Sequence, residues 1–254
     1  MKTYIVNLPD STERLASLRK RLEAHPYIDA EVLGAVDGRK MSDEQLRKAF
    51  DYEGFRKAER RYPRPGEVGC ALSHQKFYQR VVASGAPALV LEDDIYIERN
   101  IEEELQWASG WLATDKPRIV LFGAACLYRQ SSGNEIGNGT AGKLVRPAFY
   151  CHGAFAYAIN PIAAALMINQ WPGHTSDNFI MFHKRYGIDI RVFVPNVIMP
   201  ADETQSSTTI AGAGERIQFG FPDRLYFFLR DKRNRFLVKS GLYKRQDTID
   251  FRPV

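Results

Sequence analysis

The chain has 254 residues, 44% apolar and 26% charged, with a formal net charge of +5. It is long enough to bury a sizeable core in one large or two small domains, and the composition excludes a disordered or fibrous chain. No apolar run approaches the ~18 residues needed to cross a bilayer, and the first strand lacks the features of a signal peptide.

In chain order, Tyr4-Ile5-Val6 reads as a buried strand. Asp10-Ser11-Thr12-Glu13 looks like a capping box, opening a helix with Leu15, Leu18 and Leu22 at helical spacing. Residues 32–36 form a second strand, stopped by Asp37-Gly38, and Ser42 with Gln45 opens the next helix. This alternation predicts an α/β layer on a parallel sheet. Residues 59–66 are a basic, proline-containing loop. From Glu67, the positions Val68, Ala71, Leu72, Tyr78, Val81 and Val82 predict a helix that ends near Gly85. Ala88–Leu91 is a third strand, residues 98–111 a helix, and residues 118–123 a fourth strand. Residues 129–143 are rich in Gly, Ser and Asn and read as a loop. Residues 155–159 are a strand, and Asn160-Pro161 starts a helix with Asn as cap and Pro in the first turn. Residues 191–194 are a late strand, and residues 200–214 a polar loop. Cys70, Cys126 and Cys151 have no metal-like spacing. An odd, sparse set fits a reducing compartment, so the expected location is cytoplasmic.

The third strand runs straight into Glu92-Asp93-Asp94. Ligands of parallel sheets bind outside the carboxyl ends of the strands, where these acids stand. Alternation along an extended chain puts Glu92 and Asp94 on one face and Asp93 on the other. Two carboxylates open to solvent suit a hard divalent cation, Mg²⁺ or Mn²⁺. The plain alternative is a charged turn closing a strand.

Here the chain resembles glycosyltransferase family 25, the lipopolysaccharide-type sugar transferases related to collagen galactosyltransferases. The matching stretches are Tyr4-Ile5-Val6-Asn7-Leu8 with Glu13-Arg14, Ala35-Val36-Asp37-Gly38, the run from Gly66 to His74, and Ala88 to Asp94. Residues 156–159 and the Pro195 to Ser207 stretch match more loosely. The resemblance implies a GT-A type fold, a Rossmann-like αβα sandwich with a mostly parallel central sheet. It implies a UDP-sugar donor, with galactose expected, and a surface glycan acceptor such as lipopolysaccharide. Glu92-Asp93-Asp94 would stand for the acidic motif of such enzymes, with Glu92 and Asp94 on the metal. The metal would offset repulsion among the acids and charge on the leaving diphosphate.

The same resemblance puts Asn7, Leu8, Arg14, Asp37, Gly38, Ser73, His74, Glu92, Asp93, Gln205 and Ser207 at the nucleotide-sugar. Read without it, Asn7 and Asp37-Gly38 are turn residues, Arg14 a solvated charge, His74 a packed core group and Gln205 to Ser207 a surface loop. Inverting transfer needs a base for the acceptor hydroxyl. Asp177 is the candidate, with Asp202 and Glu203 as rivals and a helix cap as its plain reading. His152 is a further possible ligand, and Cys70 reads as packing. A non-catalytic binding module, or another donor such as UDP-glucose, stays open.

Residues 215–254 hold ten Lys/Arg against five Asp/Glu, while the preceding residues carry 25 of each sign. Leu225 to Leu237 reads as a basic amphipathic segment. The expected division is a transferase domain over residues 1–214 and a basic aromatic extension over residues 215–254. The extension would hold the protein on an anionic membrane surface, near a lipid-linked acceptor, or would pack its aromatics on the body. The neutral body argues against nucleic acid.

Overall fold

The computed structural model describes residues 1–131, 134–135, 142–169, 172–201 and 220–247. Its elements are β1 (Lys2–Asn7), α1 (Thr12–Leu22), β2 (Ala30–Gly34), a short 3-10 turn (Gly38–Lys40), α2 (Asp43–Ala49), α3 (Tyr52–Glu59) and α4 (Pro65–Ser84). Then come β3 (Ala88–Glu92), β4 (Ile95–Tyr96), α5 (Glu102–Leu112), β5 (Arg118–Leu121), β6 (Ala125–Arg129), β7 (Asn134–Glu135), β8 (Lys143–Val145) and β9 (Pro147–His152). The remainder are β10 (Ala156–Ile159), α6 (Pro161–Ile168), α7 (Phe179–Tyr186), β11 (Asp189–Val194), β12 (Met199–Pro200), α8 (Phe221–Lys239) and β13 (Tyr243–Gln246).

The central sheet runs β2-β1-β3-β10-β5-β11-β8-β7. β2, β1, β3, β5 and β11 point one way, and β10 enters antiparallel between β3 and β5. The expected αβα sandwich with a mostly parallel sheet is therefore the one observed. Its cause is readable in the strands, whose alternate residues feed two apolar layers. Tyr4, Val6, Val90, Tyr157 and Ile159 face α4, α6 and α7. Ile5, Leu89, Leu91, Ala156 and Ala158 face α1 and α5.

Local signals set most helix ends. Ser42 and Gln45 form the expected capping box. Asn160 accepts from the Ala163 amide, with Pro161 in the first turn. α4 starts where the Arg64 amide donates to Glu67 and stops at Gly85, whose φ of 67° is the left-handed conformation that glycine tolerates. Three expectations need correction. The N-cap of α1 is Ser11 and makes no side-chain cap bond; Asp10 pairs with Lys40 instead. The helix expected from residue 98 begins at Glu102, whose amide bonds Asn100. Past residue 123, β6, β9 and β13 form a separate three-stranded antiparallel sheet that alternation did not announce. The loop expected over residues 129–143 includes the end of β6 and β7, while residues 132–133 and 136–141 lie outside the described residues.

One close approach positions the site. Gly38, in the 3-10 turn, lies backbone to backbone against Gly69 of α4. A Cβ on Gly69 would stand 2.5 Å from both Gly38 N and Val36 O. Ser73, one turn on, accepts from the Val36 amide at 2.8 Å and donates to the Gly69 carbonyl at 2.7 Å. The turn after β2 is thereby clamped onto α4. Gly69→Ala is expected to destabilise the fold by about 1–3 kcal/mol through this overpacking, measured by urea unfolding. Unchanged stability would show that the clamp yields freely.

Candidate functional site

The carboxyl ends of β1, β2 and β3 and one face of α4 enclose a cavity of about 160 Å³. Val6 and Leu8 come from the end of β1, Arg14 from α1, and Ala35, Val36, Asp37, Gly38 and Arg39 from the turn after β2. Gly66, Cys70 and Ser73 come from α4, and Glu92, Asp93 and Asp94 from the end of β3. Leu8, Arg14, Asp37, Gly38, Ser73, Glu92, Asp93 and Asp94 were all singled out in the sequence, and the fold brings them to one cavity wall.

The three acids have different surroundings. Asp93 is buried, with Oδ2 accepting from Asn7 Nδ2 at 2.6 Å and Oδ1 paired with Arg14. Burial raises its carboxyl pKa, while Arg14 and Asn7 pull the other way. Both oxygens are engaged, so Asp93 acts as a tie rather than a free ligand. The Asn7 side chain is part of the same tie. It is buried, does not line the cavity, and its amide donates to Ser11 O and Asp93.

Glu92 and Asp94 remain on the cavity side, each with a quarter of its side chain exposed. Burial and the nearby Glu92 charge push Asp94 up to about 6, against the pull of Arg14, 3.4 Å away. One guanidinium is thus shared by Asp93 and Asp94. The surplus negative charge and all-oxygen donors of Glu92 and Asp94 fit a hard divalent cation. Asp37 is held by Arg39 through two bonds of 2.8 Å, which lower its pKa.

His74 and Ser73 lie on α4 and are buried. His74 Nδ1 is 2.7 Å from the Tyr157 hydroxyl, and Nε2 is 3.5 Å from Glu92 Oε1. Cys70, read as packing, lines the cavity and touches Ser176 Oγ at 2.9 Å. Asp177 is the next residue. It does not cap α7, since Asn178 accepts from the Met181 amide. Its carboxylate faces His152 at 3.7 Å, both side chains nearly half exposed. Burial raises Asp177, but His152 and Thr175 outweigh it and hold the carboxyl below the usual range. His152, correspondingly, is raised by Asp177 against the effect of burial.

Cys70 and Arg39 escaped the residue-level reading. For Cys70 a signal existed, namely its spacing of four from His74 on one helix, which puts both on one face. For Arg39 there was none beyond its place after Asp37-Gly38. Asp202, Glu203, Gln205, Ser206 and Ser207 lie outside the described residues. The described chain before them reaches the acidic turn, where the Ala201 amide donates to the Asp94 carbonyl at 2.6 Å.

Comparison with known proteins adds the family. A "Glycosyltransferase 25 family member" from Aedes aegypti is 29% identical over 182 residues, covering 66% of this chain and 28% of its own. A "Putative glycosyltransferase R655" from Acanthamoeba polyphaga mimivirus is 34% identical over 108 residues, covering 41% and 32%. An "Inactive glycosyltransferase 25 family member 3" from Homo sapiens is 33% identical over 118 residues, covering 41% and 18%. The chain thus spans about a third or less of the length of these relatives. Among solved structures, the galactosyltransferase LgtC with donor and acceptor sugar analogues has a TM-score of 0.35 at 14% identity, covering 75% of this chain and 73% of its own. The model of "Glycosyltransferase family 25 (LPS biosynthesis protein)" matches residues 1–180. The chain belongs to glycosyltransferase family 25.

Proposed function

We propose that the protein is a glycosyltransferase that moves a sugar, galactose on the family resemblance, from a UDP-sugar to a surface glycan such as lipopolysaccharide, with inversion. The observation that carries this is the convergence of three strand ends, α4 and the Glu92/Asp94 pair on one cavity. Its enclosed volume is below the ~300 Å³ at which ligand pockets usually begin. It would therefore enclose one part of the donor and leave the rest to the open rim. Arg14 and Arg39 supply positive charge at the same wall.

Glu92 and Asp94 would hold the divalent cation, Mn²⁺ or Mg²⁺, which when bound neutralises charge on the diphosphate. Asp177, ionised through the physiological range, is the proposed base. It would take the acceptor hydroxyl's proton as that oxygen bonds the anomeric carbon and the bond to UDP breaks. His152 steadies its charge.

The second reading is a nucleotide-sugar or anionic-surface binding module without catalysis, favoured by relatives named inactive. UDP stabilisation separates the transferase from a surface-binding module, and turnover separates it from a nucleotide-sugar module without catalysis. With Mn²⁺ and ~100-fold excess over Kd, UDP is expected to raise the Tm by roughly 5 °C or more, and without metal hardly at all. Indifference to both supports the surface-binding module. Asp94→Asn is expected to lower transfer roughly 100-fold or more while the protein stays folded, measured by release of UDP. Wild-type turnover in that variant would remove the metal role. Asp177→Asn is expected to lower kcat about 100-fold with UDP and Mn²⁺ stabilisation intact; an unchanged kcat would dismiss it as base.

The C-terminal extension is proposed as a membrane-surface element. No residue of α8 is buried. Asp223, Phe227, Asn234 and Leu237 are its less exposed positions, while Leu225, Tyr226, Phe228, Leu229 and Phe236 stand exposed. Arg60 holds the helix through Asp223 at 2.9 Å and Tyr226 at 4.2 Å. After it, β13 pairs antiparallel with β6. Six Lys/Arg lie along α8 against two Asp, and each basic residue near anionic lipid contributes about 1 kcal/mol. No helix among the described residues is long and apolar enough to cross a membrane. The reading places the protein on the cytoplasmic face, beside a lipid-linked acceptor. Phosphatidylglycerol vesicles should bind the wild type and bind Phe228→Ser/Phe236→Ser at least about tenfold more weakly; equal binding would refute surface docking.

A further inference from the structure

Cys70 and His74 stand four residues apart on α4, so their side chains leave the same face, one turn apart. Glu92 ends β3 beside them. One ligand atom from each of the three residues lies within 4.8 Å of the other two. The hydrogen bonds around His74 set its tautomer. The Tyr157 hydroxyl donates to the Tyr78 oxygen at 2.9 Å. With Tyr157 donating to Tyr78, its oxygen accepts from His74 and the imidazole proton lies on Nδ1. Nε2 is left with a bare lone pair. That nitrogen is buried, has no hydrogen-bond partner, and points toward Glu92. A buried polar atom without a partner is costly and calls for an occupant.

We infer that Cys70, His74 and Glu92 form a binding site for a borderline-soft divalent cation of the zinc class. Thiolate and imidazole are ligands that Zn²⁺ prefers and that Mg²⁺ and Mn²⁺ do not. The site is thus distinct in chemistry from the all-oxygen pair Glu92 and Asp94, with Glu92 common to both. On binding, the Cys70 S–H bond breaks, its proton passes to bulk water, and a sulfur–metal bond forms. Burial and the Glu92 charge keep the thiol protonated until then. Tyr157 orients the imidazole from behind, as outer partners of metal-bound histidines do. Three protein ligands leave a fourth tetrahedral position. Cys70 and Glu92 both line the donor cavity, so that position opens toward it. The site itself stands without the transferase reading. Only one consequence rests on it: a cation held here draws Glu92 from the hard-cation site, so Zn²⁺ raises the Mn²⁺ needed for stabilisation by UDP.

The test uses untagged, metal-free full-length protein and Co²⁺ as a spectroscopic stand-in for Zn²⁺. One equivalent of Co²⁺ is expected to give a near-ultraviolet thiolate-to-cobalt charge-transfer band and the strong visible bands of four-coordinate cobalt, both erased by one equivalent of Zn²⁺. Folded Cys70→Ser should lose the charge-transfer band and bind Zn²⁺ at least about tenfold more weakly. In the wild type, Zn²⁺ should also protect Cys70 from iodoacetamide, read by peptide mass mapping. A wild-type spectrum without the band, a band that survives in Cys70→Ser, or Cys70 alkylation indifferent to Zn²⁺ would overturn the site. Loss of the UDP effect alone would count against the donor reading and leave this one standing.

Discussion

The site is organised around the buried carboxylate of an ion pair. Asp93, at the turn after β3, lies under the acidic rim, tied to Asn7 at the end of β1 and to Arg14 in α1. A carboxylate in that position, stripped of one partner, would leave an uncompensated buried charge, which typically costs about 3–5 kcal/mol. The tie therefore holds two neighbouring strand ends and the first helix in one arrangement. It also explains why three adjacent acids are tolerated. The middle one is neutralised inside the fold, so the flanking pair need not share that burden and stays on the cavity side. The price is a reduced ligand set: Asp93 lines the cavity with both oxygens committed.

α4 makes the opposite wall. Its glycine contact with the turn after β2 brings Asp37 and Arg39 to the cavity, and one helical turn later Ser73 fastens the same turn. Its next residue, His74, reaches across to β10 and the end of β3. One helix thus joins the part of the cavity suited to a nucleotide with the part that carries the acids. Ser176, the residue before Asp177, contacts Cys70 at 2.9 Å. The proposed base and the proposed cation ligands are set by different elements, so substitution of one need not displace the other.

The charge distribution gains meaning from this arrangement. The body balances its charges, and α8 concentrates cations among exposed aromatics, with Arg230 over Phe227 at 4.8 Å and Lys232 over Phe228 at 4.7 Å. A helix packed only to complete a core would bury its aromatic side chains, and this one leaves Phe221, Tyr226, Phe228 and Phe236 exposed.

Strands β1, β2, β3, β5, β10 and β11, the Ser42 and Asn160 caps, the Gly85 stop and the place of the acids beyond β3 were legible in the sequence. Alternation, capping and turn chemistry are local properties, carried by residues a few positions apart. The cavity residues taken from the family motifs were legible as a set, though their division of labour was not. Packing turns the side chains of Asn7 and Asp93 toward each other across 86 positions, a contact that no local pattern announces. Cys70 looks like filler until α4 is set against the end of β3. The antiparallel entry of β10 was beyond local reading, because a short buried strand has the same pattern in either direction. That entry places Tyr157 behind His74, 83 positions away, and leaves the other imidazole nitrogen on the side of Glu92. Residue types and their periods determined the layers; only long-range pairing decided which polar atoms were left free for a ligand.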